Sequence, residues 1–462
     1  MARSHVVTLL LAGAEMLSKS APVSPLTRLA DTRSEISPRP ALVLVRNSVT
    51  HDARVLREAR LLQHLGLVPR VVGVTSNRAP EAVVDVEGIR VERLSPTSPM
   101  ALARRLLGRR VSSDRPEATA SGNPETSPAA GTRATSAGRA LVRVHRWLVT
   151  LDYYRRGFGV VLRRRPTLVH CNDYNTMWIG VSARLLGSAV VYDAHELWPD
   201  RNLRPEPRWW LLACEALFVR VAHRVITTSP EYARVIAWRY RVHEPVVVRN
   251  IPPVEREGQH MSEDRERSTG DAEREGQPLA IYVGALTRNR GLEESIDVLA
   301  RLPNVRLRLV GPASSGYRAR LEAMADRLGV GSRLEVADPV SPSEVVEAIR
   351  GADVGLALIQ PACLSYELTL PNKLFEYVAA GVPVLGSDLP AIADFIETRG
   401  VGLVTDPLDP DRTAEALREI LRPERSADFR EAAQRAAADE TWGRESTTLA
   451  RVYIEALEAS RG

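Results

Sequence analysis

Ala41-Leu42-Val43-Leu44-Val45, an amphipathic stretch at 52–65, and then Arg70-Val71-Val72-Gly73-Val74-Thr75 decide the fold. Short runs of branched apolar residues read as buried strands, and the segment between them, with apolar positions three and four apart, reads as a helix. Strand, helix, strand is the repeating unit of a doubly wound α/β sheet. The same beat resumes with strands at 168–171, 189–193, 225–228 and 246–248 and helices around 178–186 and 209–223, completing one parallel sheet. A second series puts strands at 280–283, 306–310, 333–336, 354–358, 382–386 and 402–405, again with helices between them. The pattern predicts an α/β protein of two doubly wound Rossmann-like domains facing across a cleft, because ligands of such sheets bind beyond the carboxyl ends of the strands.

Composition sets the boundaries. Residues 1–40, ending in Ser37-Pro38-Arg39-Pro40, read as a disordered extension. The apolar run at 6–14 follows Arg3 and His5 as in a signal peptide, but Glu15 interrupts its exit. The first domain spans 41–254, with an insertion at 112–138 whose Ser, Thr, Ala, Pro and Gly offer too little apolar surface to offset ordering entropy. A charged stretch at 255–278 reads as the linker, and 279–425 as the second domain. Residues 426–462 are helical by periodicity, with Trp442 and Tyr453 as anchors, and are expected to cross back to the first domain.

The chain has 462 residues and 62 Lys+Arg against 57 Asp+Glu, and only two of those cations are lysines, Lys19 and Lys373. A net charge of +5 is small for this length, which argues against a nucleic-acid partner. Cys171, Cys214 and Cys363 lie far apart, with neither disulfide nor zinc spacing, and point to a reducing cytoplasm. No run reaches the length of a membrane span. Residues 100–110, with Arg104, Arg105, Arg109 and Arg110, form a short basic amphipathic stretch suited to peripheral contact with an anionic membrane.

Two segments carry the chemistry. In Leu368-Thr369-Leu370-Pro371-Asn372-Lys373-Leu374-Phe375-Glu376, Pro371 and Asn372 open a helix whose free N–H groups favour an anion. Lys373 adds a mobile ammonium, and Glu376, one turn on, can accept both hydroxyls of a ribose. In Gly284-Ala285-Leu286-Thr287-Arg288-Asn289-Arg290-Gly291, a glycine-bounded loop leaves a strand with two arginines near the next helix start, a combination suited to a diphosphate. Neither the dinucleotide fingerprint nor the ATP/GTP phosphate loop is present. Asp409-Pro410-Asp411 reads as a helix cap rather than a metal site.

In order and spacing these segments resemble the C-terminal domain of the GT-B glycosyltransferases, specifically the retaining family 4 that uses nucleotide-diphosphate sugars. In the first half, the run from Arg46-Asn47-Ser48 through His51-Asp52 to Glu58-Ala59, His170-Cys171-Asn172-Asp173 and Asp193-Ala194-His195-Glu196 are similar to that family's cleft loops. The resemblance implies Arg290 on the donor diphosphate, assisted by Arg288 and Lys373, and Glu376 on the ribose. It implies the backbone of Gly284, Gly291, Thr369, Leu370 and Asn372 near the phosphates, with 336–339 flanking the base. Asn47, His51, Asp52, Asn172 and Glu196 would meet sugar and acceptor, and His195 and Asp173 would join Arg290, Lys373 and Glu376 in the chemistry.

Three positions depart from the family pattern. Leu368 stands where a first glutamate is common, with Glu367 one step off; Ala285 stands for an arginine and Asn172 for a histidine. These bear on sugar contacts more than on nucleotide binding. The implied reaction is metal-independent and needs no cofactor: diphosphate leaves and an acceptor hydroxyl attacks on the same face. The expected partners are a nucleotide-sugar donor and a glycan, lipid-linked or small-molecule acceptor of envelope or polysaccharide biosynthesis. The alternatives are a GT-B fold nucleotide-sugar epimerase and a catalytically silent sugar-nucleotide-binding or scaffolding homologue.

Overall fold

A computed structural model describes residues 39–49, 52–76, 79–95, 136–202, 206–252 and 276–461. His51, the basic stretch at 100–110, most of the expected extension and insertion, and most of the linker lie outside the described residues. The first sheet contains β1 (Arg39–Leu44), β2 (Leu67–Val74), β3 (Val83–Val86), β4 (Ile89–Leu94), β5 (Leu168–Asn172), β6 (Ala189–Ala194), β7 (Arg224–Thr227) and β8 (Val246–Val247). Its strand order is β3-β4-β2-β1-β5-β6-β7-β8. The second contains β9 (Leu279–Val283), β10 (Arg306–Val310), β11 (Leu334–Ala337), β12 (Val354–Ala357), β13 (Val384–Ser387) and β14 (Gly402–Thr405), in the order β11-β10-β9-β12-β13-β14.

The first sheet departs from the sequence reading at its edge, where β3 runs antiparallel to β4. Glu87 and Gly88, both at positive φ, close this two-residue hairpin, the backbone that best matches strand twist. Arg39 and Pro40 belong to β1, paired with Leu67 and Val68, and not to a leading extension. A long helix, Ser136–Arg164, begins inside the stretch expected to be an insertion. The helical C-terminus divides: Pro423–Asp439 stays on the second sheet, and Trp442–Ala459 packs on the first.

Alternation along the strands builds a core on each face. Ala41 and Val43 join Leu449 and Tyr453 of the last helix, while Leu42 and Leu44 turn to the helices on the other side. The second sheet repeats the device with Ala280 and Tyr282 on one face and Ile281 and Val283 on the other. Burying each such large side chain contributes about 1.5–3 kcal/mol.

In each sheet the strand order reverses beside the first strand, at β1/β5 and at β9/β12. Open parallel sheets hold ligands at such switch points. The loops that emerge there include 45–49 and 173–176 in one sheet, and 284–291 and the segment after Ala357 in the other.

Candidate functional site

The second-domain half starts from glycines. A Cβ on Gly291 would lie 2.2 Å from the Leu358 carbonyl oxygen, and one on Gly311 would lie 1.9 Å from that of Gly284. Both glycines also hold positive φ, so only this residue lets the loop close so tightly against its neighbours. The helix Asn372–Ala379 is set by Tyr377, whose ring lies against Gly355 and whose hydroxyl donates to the Leu356 carbonyl at 2.9 Å.

That helix carries Lys373 into the interior. Its ammonium is 3.4 Å from the centroid of the Tyr282 ring and 3.7 Å from where a Gly284 Cβ would stand. The residue is 6% exposed, and among the described residues its Nζ has no hydrogen-bond partner. Burial draws its pKa well below the ordinary value, the Arg290 guanidinium adds to this and Glu376 opposes it. Arg290 is held with its guanidinium 4.6 Å from the Tyr366 ring centroid and its Nη2 donating to the Tyr366 hydroxyl at 3.4 Å. Arg288 and Asn372 are exposed, Thr369 is half-buried, and Leu370 anchors in the second core. Burial pushes the Glu376 carboxyl up, with Lys373 and Arg57 opposing. Arg57 belongs to the first-domain helix Ala53–His64, so Glu376 feels charge from across the cleft.

The two domains meet beside this half. Tyr232 donates its hydroxyl to the Ser365 carbonyl at 2.5 Å, and Ser229 donates to that of Leu368 at 3.0 Å. Leu364 and Leu368 pack against the first-domain core. The side chain at the departing position therefore serves the domain contact.

The first-domain half is a buried charge network. Glu58, His170 and Asp193 are fully buried. Arg54 bridges the two carboxylates, at 3.1 Å to Glu58 and 2.6 Å to Asp193. The His170 Nδ1 lies 3.0 Å from the Tyr453 hydroxyl, which the last helix delivers. Asp193 also forms an ion pair with the His195 Nε2 at 3.0 Å, while the His195 Nδ1 faces Asp173 at 3.6 Å. Burial alone would lower the His195 pKa, but Asp193 and Asp173 outweigh it and hold the ring at about 10. His195 is thus an imidazolium at neutral pH, a fixed cation rather than a waiting base.

Asp173 has φ 65 and ψ 163, a backbone region that is essentially glycine's, at a cost of roughly 1–3 kcal/mol. Such strain persists where surrounding structure imposes it, commonly at functional sites. Burial raises this carboxyl's pKa, with His195 pulling the other way.

The remaining expected contacts fall beneath the surface or within the loops. Asn172 does not line the cleft: it is 1% exposed, and its amide donates to Glu58 at 3.0 Å. Asn47 donates to Asp52 at 2.7 Å and accepts from the Val49 amide at 2.8 Å, while Asp52 caps the following helix through the Val55 amide. Glu196 pairs with Arg201. Asp409 caps its helix, accepting from the Asp411 and Arg412 amides. Glu58, Asp193 and His195 lie close enough together for a metal, but Arg54 already supplies the positive charge between the two carboxylates. Sequence reasoning quoted the segments that hold Arg54, Glu58 and Asp193 without giving these residues a role, and expected Tyr453 only as a packing anchor, which it is; their joint network joins positions scattered along the chain. It missed Tyr282 and Tyr366, which present no polar motif.

The family model described as glycosyl transferases group 1 matches residues 264–437, and that of the glycosyl transferase 4-like domain matches 117–251. The chain belongs to the group 1 glycosyltransferases. Among the transferase's relatives, the D-inositol 3-phosphate glycosyltransferase of Thermobispora bispora is 27% identical over 319 residues, 64% of this chain and 72% of that protein. Sucrose-phosphate synthase from Thermosynechococcus elongatus superposes with a TM-score of 0.65 at 17% identity, covering 90% of this chain and 98% of that one. Anabaena HepE in complex with UDP-glucose superposes at 0.62 with 13% identity, covering 90% and 99%. These structures share the GT-B fold with the transferase.

Proposed function

We propose that this chain is a retaining, metal-independent hexosyltransferase that moves a sugar from a nucleotide-diphosphate sugar to a hydroxyl of a glycan, lipid-linked or small-molecule acceptor. Its expected setting is envelope or polysaccharide biosynthesis at the cytoplasmic side of the membrane. The observation that carries the reading is Lys373, a buried ammonium without a hydrogen-bond partner, lying beside the Gly284 turn. Burying a polar group unpaired costs free energy, and an anion arriving at that turn relieves the cost. A diphosphate there would meet Lys373, Arg290 and the start of the helix Asn372–Ala379, with Glu376 placed for a ribose. Charge that builds on the leaving oxygens is then stabilised by groups already in position. His195, held between Asp193 and Asp173, would supply a cation on the acceptor side. UDP-glucose in HepE favours uridine as the base, and the inositol phosphate of the relative's name favours a hydroxyl acceptor.

The test is thermal unfolding of the purified chain with UDP, GDP, ADP and dTDP sugars, followed by donor consumption with an extracted acceptor pool. A ligand that binds only the native state raises its melting temperature by mass action. One nucleotide sugar should do so, and transfer should need acceptor, survive EDTA and disappear in Glu376→Ala. Isomerised donor without acceptor would make the protein an epimerase, and stabilisation without turnover a silent homologue. No stabilisation by any nucleotide sugar overturns the assignment.

Lys373→Arg is expected to lower kcat/KM for the donor by about tenfold despite the conserved charge, because a planar guanidinium and a compact ammonium are not interchangeable in a closed site. Since burial holds Lys373 below its ordinary pKa, donor binding in the wild type should weaken as pH rises and the ammonium is lost. The arginine variant should lose that dependence. Equal turnover and an unchanged pH profile in the variant would remove Lys373 from the diphosphate site.

A further inference from the structure

The helix Ser136–Arg164 has more apolar surface than the fold uses. Tyr153, Val160 and Val161 face the core, and Gly157 sits so close to Ile179 that a Cβ would lie 2.3 Å from its side chain. The packing requirement of an amphipathic helix is met by that side. On the opposite side Val144, Trp147, Leu148, Leu151, Phe158 and Leu162 are 41% to 64% exposed. Their spacing of three, four and seven residues aligns them in one stripe, ~27 Å long at the helical rise.

The stripe has company. On the helix Arg208–Val221, Leu211, Cys214 and Phe218 join the same core as Tyr153 and Val160, so both helices cover the same face of the first sheet. Trp209, Trp210 and Leu217 of that second helix are also turned to solvent, Trp209 at 69%. The charge is one-sided. The helix Ser136–Arg164 contains seven arginines and a single acid, Asp152, whose carboxylate is already paired with Arg155 at 2.8 Å and Arg156 at 2.7 Å.

We propose that this outer face of the first domain is a docking surface for an anionic lipid bilayer. The aromatic and aliphatic stripe enters the headgroup boundary and the arginines engage lipid phosphates. Tryptophan and phenylalanine on an arginine-rich helix suit that boundary, where arginine stems lie against apolar groups while their heads reach anionic headgroups. A second copy of the chain fits the face poorly, because a symmetric contact would set the arginines of one helix against those of the other. Among the described residues no helix is long and apolar enough to cross a membrane, so the contact is with the surface. This surface does not depend on the donor site.

The experiment is co-sedimentation of the full chain with phosphatidylcholine vesicles, with and without about 30% phosphatidylglycerol. Wild type should sediment with the anionic vesicles, more weakly at high salt and little with neutral ones. Combining Trp147→Glu, Leu151→Glu and Phe158→Glu should reduce binding at least about tenfold, while nucleotide-sugar stabilisation and melting temperature stay unchanged. Wild-type binding by that triple variant, or loss only on deletion of 100–110, overturns the proposal. So does a wild-type dimer in solution that the substitutions convert to monomer while vesicle binding is absent, since the face is then an interface between copies. Retained vesicle binding alongside failed nucleotide binding would sink the transferase assignment and leave this surface standing.

Discussion

Arg290→Ala is expected to lower kcat for sugar transfer by roughly 10²- to 10³-fold, the usual cost of removing one preorganised charge from a transition state. Its guanidinium is oriented before substrate arrives, held 4.6 Å from the Tyr366 ring centroid and hydrogen-bonded to that residue's hydroxyl. Tyr366 is itself buried, on the short helix that meets the first domain through Tyr232 and Ser365. An arginine positioned in this way loses little freedom on binding a diphosphate. Its attraction should therefore grow as charge moves onto the leaving oxygens, and the substitution should reduce kcat more than it raises KM. Arg288 supplies the contrast, because it is exposed in the same loop. Arg288→Ala should change turnover by at most about fivefold, as befits a solvated charge. Steady-state kinetics of both variants with a saturating acceptor distinguishes the two roles. Equal losses, or a larger loss for Arg288, would overturn the assignment of Arg290.

The strands were legible because their residues are consecutive and their faces alternate, as in Ala41 to Leu44. The hairpin at β3 and β4 was also written in the chain, with Val83-Val84-Asp85-Val86 and Ile89-Arg90-Val91 flanking Glu87-Gly88. It was missed because its first strand is short and partly solvent-facing, so no long apolar run announces it. The helix Ser136–Arg164 begins in Ser136-Ala137-Gly138, residues that favour an irregular reading, and it carries apolar residues on two sides. In the site, Lys373, Glu376 and Arg290 stood out because their segments combine charge with glycine and proline. Leu368 read only as a missing carboxylate. Its role in packing the two domains needs the partner surface of the first core, which no local pattern contains.

The network beneath His195 was the least legible part, and it yields the largest expected effect on stability. Asp193→Asn keeps the shape of the side chain and removes its charge. Arg54, drawn above its ordinary pKa by Asp193 and Glu58 despite burial, would keep only Glu58 as its carboxylate partner. The imidazolium of His195 would lose its 3.0 Å contact with a carboxylate. Breaking a buried pair from one side typically costs about 3–5 kcal/mol, because the remaining charge stays buried. The first-domain unfolding transition should accordingly fall on the order of 10 °C. The pH dependence gives an independent reading. His195 titrates near 6.5 when unfolded and at about 10 when folded. Because the folded value is the higher one, its contribution to stability is complete below about pH 6.5 and is lost as pH rises through 10. The wild-type melting temperature should decline across that window, whereas the decline in Asp193→Asn should be much shallower. Thermal unfolding followed by circular dichroism between those pH values tests both statements. A variant that melts with the wild type and tracks it through the alkaline range would mean that Asp193 neither stabilises Arg54 nor holds His195 as a cation.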